Sequence, residues 1–105
     1  MYVKTIETPA YLKKPGLDLL TIGQMLSVCV SNVLKYTYPK GMIKNKSSVE
    51  VKFSRNIVVS LYPKKITIKS EWEKDLFNNN VIETFEDIFL NPNIFERETY
   101  KYMNL

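Results

Sequence analysis

Residues 49–69 read VEVKFSRNIVVSLYPKKITIK, and their period decides the fold. Val49, Val51 and Phe53 alternate with Glu50, Lys52 and Ser54. Ile57, Val59 and Leu61 alternate with Val58, Ser60 and Tyr62, and Ile66 and Ile68 with Thr67 and Lys69. An apolar side chain at every second residue marks a half-buried strand. The interruptions, Arg55-Asn56 and Pro63-Lys64-Lys65, are short enough for hairpins. The segment therefore predicts a three-stranded antiparallel meander with one apolar face.

Upstream the period changes to that of a helix. Leu19, Ile22, Leu26, Cys29, Val30 and Val33 follow helical spacing within Leu17 to Lys35. Thr21, Gln24, Ser31 and Lys35 form a narrow polar stripe on the other side. So narrow a stripe predicts a helix buried over most of its circumference, packed on the apolar face of the meander. Met1 to Glu7 is compatible with a short strand, and Pro9 to Lys14 with one helical turn before Pro15-Gly16 breaks the chain. Tyr36 to Ser48, with Pro39, Gly41, Lys40, Lys44 and Lys46, reads as an exposed loop.

Downstream lie three helix starts of the capping-box type: Ser70-x-x-Glu73, Asn80-x-x-Glu83 and Asn93-x-x-Glu96. Val81, Ile82, Phe85, Ile88 and Phe89 make a compact apolar stripe that Asn91-Pro92 ends. The expected fold class is α+β: a long buried N-terminal helix packed on a three-stranded antiparallel β-meander, with a helical acidic C-terminal region. One domain is expected over residues 1–105. It comprises a strand, helix and basic loop (1–48), the meander (49–69) and an acidic helical tail (70–105). At 105 residues such a chain buries roughly 65% of its unfolded surface, so neither metal nor disulfide is required for a core.

Charge is sorted along the chain. From Lys35 to Lys69, Lys35, Lys40, Lys44, Lys46, Lys52, Arg55, Lys64, Lys65 and Lys69 face one acid, Glu50, a net of +8. From Ser70 to Leu105 eight acids face Lys74, Arg97 and Lys101, a net of −5. Segregation of this kind steers charged partners. The sequence predicts a site for nucleic acid or another anionic partner at Lys44, Lys46, Lys52, Tyr62, Lys64, Lys65 and Lys69. Lysines neutralise phosphates, and an exposed tyrosine stacks on a base. The same lysines also serve as a solvated surface that guards sheet edges. The aromatic residues Phe85, Phe89, Phe95 and Tyr102 suit either core or a patch for a protein partner.

Histidine is absent, and Cys29 is the only cysteine. The commonest general base, the usual activator of serine and cysteine nucleophiles and any ordinary zinc site are thereby excluded. Glu71, Glu73 and Asp75, and again Glu83, Glu86 and Asp87, read as solvated helix surface before they read as an acid–base pair. Isolated glycines leave no phosphate-cradling loop. No cofactor, no metal, no catalytic residue and no enzymatic activity are expected. The most apolar stretch, Leu17 to Leu34, carries too many polar groups for a membrane span, and no signal peptide is read in Met1 to Lys14. The abundance of Lys, Asn and Ile points to a low-GC source, a bacterium, phage or other virus, and hence to the cytoplasm of a bacterial or host cell or to a virion.

The order of strand, short helix, long helix and meander over about residues 1–70 is similar to that of the small RelE-type ribonuclease toxins. That resemblance is one of topology and carries no catalytic residue across. It implies a ribonuclease as the third functional expectation. The first is a non-enzymatic protein-interaction or assembly module, phage- or virus-encoded, acting through its segregated basic and acidic surfaces on a protein partner or on a second copy of itself. The second is a nucleic-acid-binding protein using the basic 35–69 region.

Overall fold

A computed structural model describes residues 2–71 and 81–103. Strand β1 (Tyr2–Glu7) is followed by a 3-10 turn (Ala10–Leu12) and helix α1 (Leu19–Val33). Strands β2 (Pro39–Lys44), β3 (Val49–Phe53), β4 (Ile57–Leu61) and β5 (Lys65–Ser70) come next, then helices α2 (Val81–Leu90) and α3 (Pro92–Met103). The strands form one five-stranded antiparallel sheet in the order β1-β5-β4-β3-β2. The fold is α+β, as the two periodicities require.

The three strands with alternating apolar residues are where the sequence places them. Their register sets Val51 opposite Val59 and Val59 opposite Ile68. One face of the sheet thus carries a continuous row of buried aliphatic side chains. Two strands extend the expected three-stranded meander. Pro39–Lys44, expected as loop, pairs with β3, and Tyr2–Glu7 pairs with β5 from Tyr2 opposite Ser70 to Glu7 opposite Lys65. Both are edge strands, held by backbone ladders on one side only, so neither needs the alternation that marks a central strand. In β2 only Met42 is even half-buried. A register shift between Pro39 and Gly41 bends it away from the ladder.

Helix α1 begins at Asp18, whose carboxylate accepts a 2.7 Å hydrogen bond from the Thr21 amide as an N-cap. Its buried side, Ile22, Gly23, Leu26, Cys29 and Val30, faces the aliphatic row. Gly23 allows the closest approach. A Cβ there would stand 2.6 Å from the sulfur of Met42 and 3.3 Å from methyls of both Val49 and Val51.

Helices α2 and α3 complete the same layer. Phe85 meets Phe53 edge-on with ring centres 5.3 Å apart, and Phe89 stacks on Phe95 at 5.9 Å. Lys4 of β1 reaches Glu86 of α2 at 3.2 Å. Each buried aromatic or large aliphatic side chain contributes roughly 1.5–3 kcal/mol. The start of α3 differs from expectation: Asn91, not Asn93, is the cap. Its side-chain oxygen accepts from the Asn93 amide at 3.1 Å, and Pro92 occupies the first helical position, where no donor is needed. Ser70 is the last residue of β5, and the helix expected to follow it runs into residues outside the described ones. Glu73 and Asn80 of the other two boxes lie outside the described residues.

Candidate functional site

Antiparallel connectivity gathers alternate loops at one end of a sheet. Here the β2–β3 loop, the β4–β5 loop and the exit from β1 share an end. The Thr8 amide donates to the Lys64 carbonyl at 3.1 Å, and the Thr8 hydroxyl donates to the Tyr62 carbonyl at 3.2 Å. These bonds hold the segment that leads into α1 against the β4–β5 hairpin.

Two adjoining grooves result. One, of about 530 Å³, is lined mostly by apolar groups, with Leu12, Leu17, Leu19 and Ile22 inside and Lys13, Lys14 and Lys64 among its lining residues. The second, of about 290 Å³, lies between Leu20 and the β2–β3 loop and includes Lys44 and Lys46. Asp18, Leu19 and Pro63 border both. The acid there is committed to the α1 N-cap: the bond from Thr21, aided by nearby Lys44, holds its carboxyl below the ordinary carboxylate value. Lys14 also lies 3.8 Å from Glu96, with both groups in solvent.

The expected lysine set is thereby divided. Lys44, Lys46 and Lys64 belong to the groove end, joined by Lys13 and Lys14, which the basic segment of the sequence does not contain. Lys52, Lys65 and Lys69 project from the sheet face opposite α1, where the register sets Val3, Lys69, Val58 and Lys52 in one row. Glu50 shares that face. Tyr62 is half-buried, and the Lys65 ammonium stands over its ring at 5.1 Å, so one face of the ring is already in a cation–π contact.

The expected aromatic docking patch finds no surface here. Phe85, Phe89 and Phe95 are fully buried, because α2 and α3 fold back on the sheet and on each other. Tyr102 falls in the last turn of α3, and its side chain lies outside the described residues. Among the described residues the strongly exposed aromatics are instead Tyr36 and Tyr38, between α1 and β2. The sequence offers a partial signal for them: they flank a threonine in a segment with no acid between Asp18 and Glu50.

No cluster of His, Cys, Asp and Glu able to hold a metal ion occurs among the described residues. Cys29 is buried in α1, and burial, with Glu98 nearby, pushes its thiol up to about 11. At neutral pH it is a protonated core side chain. No helix among the described residues is long and apolar enough to cross a membrane.

Comparison with known proteins ends without a relative. No family, no curated protein and no solved structure matches this chain.

Proposed function

We propose that this protein is a non-enzymatic interaction module that binds an acidic, partly apolar segment of a partner protein at the groove end of its sheet. The observation that carries this reading is the convergence of Lys13, Lys14, Lys44, Lys46 and Lys64, from three separate stretches of chain, around grooves floored by leucine and isoleucine. Lysines alone would suit any polyanion. A mainly apolar groove between them favours an occupant with both carboxylates and aliphatic side chains, because desolvating the groove supplies affinity while the lysines set orientation and on-rate. The protein is read as phage- or virus-encoded, acting in the cytoplasm of a bacterial or host cell or in a virion. A second copy presenting the acids of α2 is the self-assembly form of the same reading.

The test is titration of a labelled peptide of alternating Glu and Leu against wild type and against Lys13→Glu/Lys64→Glu. Charge reversal should weaken binding about tenfold or more, with a steep salt dependence in wild type. Equal binding by both proteins, or no binding at low salt, would sink the proposal. A concentration-dependent rise in mass by light scattering would make the partner a second copy. Growth arrest with loss of mRNA on overexpression would replace this reading with a RelE-like ribonuclease.

A further inference from the structure

The chain between α1 and β2 holds its least expected conformation. Tyr36 has a φ of 63°. For a bulky residue this left-handed backbone is strained relative to its ordinary regions, and glycine or asparagine is the usual occupant. The side chain is 84% exposed. Burial therefore does little to offset the strain. Strain of this kind, held by its surroundings, is a recurrent feature of functional surfaces.

The surroundings do hold it. Thr37 is 2% exposed, and its hydroxyl finds no hydrogen-bond partner among the described residues. On either side the backbone is tied to Ser54, at the start of the β3–β4 turn. The Ser54 hydroxyl donates to the Tyr36 carbonyl at 3.2 Å. The Tyr38 amide donates to the Ser54 hydroxyl oxygen at 3.0 Å, and the Ser54 amide donates to the Tyr38 carbonyl at 2.9 Å. With Thr37 anchored inward, Tyr36 and Tyr38 are both presented to solvent, the latter 57% exposed.

Among the described residues the charges next to the pair in sequence and in the adjoining turn are basic. Lys35 and Lys40 are exposed on either side of the pair, and Arg55 stands in the turn next to Ser54. The nearest acid of the adjoining strand, Glu50, is opposite Ile43, further along β2 from Tyr38. Glu50 and Glu71 lie with Lys69 and Asn56 around a hollow on the sheet face opposite α1.

We propose that Tyr36 and Tyr38 form a stacking platform for single-stranded nucleic acid, with Lys35 and Lys40 on its phosphates. Two exposed rings, separated in sequence by Thr37, offer successive π-faces to unpaired bases, and stacking of that kind is tolerant of sequence. A duplex keeps its bases stacked inside and offers such rings nothing to stack on. In the grooves the lysines border leucine and isoleucine, which suits a peptide; here they flank two exposed rings, which suits stacked bases. The platform lies apart from the lysine grooves and is argued independently of them.

The experiment is anisotropy of labelled ten-residue oligo-dT and oligo-rU at low and moderate salt, with wild type, Tyr36→Ala, Tyr38→Ala, Tyr36→Phe and Tyr36→Gly. Each alanine should weaken binding by roughly five- to a hundredfold, while Tyr36→Phe stays within about twofold. Tyr36→Gly should bind as weakly as Tyr36→Ala but melt higher than wild type, because glycine relieves the left-handed strain, so lost binding is not lost folding. No binding by wild type at low salt, unchanged binding by the alanine variants, or equal affinity for a duplex would each overturn the proposal. Loss of oligonucleotide binding in Lys13→Glu/Lys64→Glu, with the tyrosine variants unaffected, would move the site to the grooves and overturn it too.

Discussion

Tyr11, in the turn after β1, donates its hydroxyl to the backbone carbonyl of Phe89, in the last turn of α2. Its ring meets Phe95 of α3 edge-on at 6.2 Å. One side chain near the start of the chain thus closes an orphan carbonyl of a helix 78 residues later.

That bond makes Tyr11 a pH-dependent element. Burial, and then Glu96 and Cys29, push its hydroxyl above the ordinary value of 10.0. The native state therefore holds the proton that the unfolded state releases first. Its contribution is complete below about pH 10 and falls as pH rises beyond it. Tyr11→Phe should cost about 1–2 kcal/mol at pH 7, from the lost bond and the unpaired carbonyl. In urea melts the variant should also lose less stability than wild type between pH 9 and roughly pH 11. Parallel alkaline losses in both would show that Tyr11 ionises normally.

Asp18 works in the opposite direction. Its carboxyl is held below 3.8 by the bond from Thr21 and by Lys44. A depressed native value contributes stability above the unfolded value and loses it as pH falls through the native one. Asp18→Ala should lower Tm at pH 7. The gap between wild type and variant should close on acidification below about pH 4. A gap that persists at pH 2 would mean that the carboxylate is not what caps α1.

Cys29 is buried, and its thiol is raised to about 11. Reaction with a disulfide reagent at pH 8 should be negligible in the native protein and complete in denaturant. Fast native labelling would require α1 to open from the sheet.

Gly23 is the test of the helix–sheet distance. Alanine gains about 1 kcal/mol of helix propensity, which works against the tight approach to Val49 and Val51. Valine regains less propensity than alanine, adds two methyls to the same contact and should destabilise by roughly 1–3 kcal/mol, read from denaturant melts. A neutral Gly23→Val would place α1 further from β3 than its packing indicates.

What could be read beforehand depended on how many faces of an element are buried. The three central strands and α1 show their periods because side chains must alternate in and out of a core. Val49, Val51 and Phe53 are legible on that ground alone. Pro39–Lys44 is not, since an edge strand sends one half-buried methionine toward α1 and leaves the rest in water. The lysine set was legible as a charge excess, but not as a place.

The sequence by itself determined the class of the fold, the core strands and the absence of histidine chemistry. All of these follow from local period and composition. The tertiary structure alone decided that Phe85, Phe89 and Phe95 are interior, that Lys13 and Lys14 stand beside Lys64, and that Tyr36 and Tyr38 face outward. Each depends on contacts between residues far apart in the chain, or on the sign of a backbone angle set by such contacts. Neither leaves a periodic trace in the residues themselves.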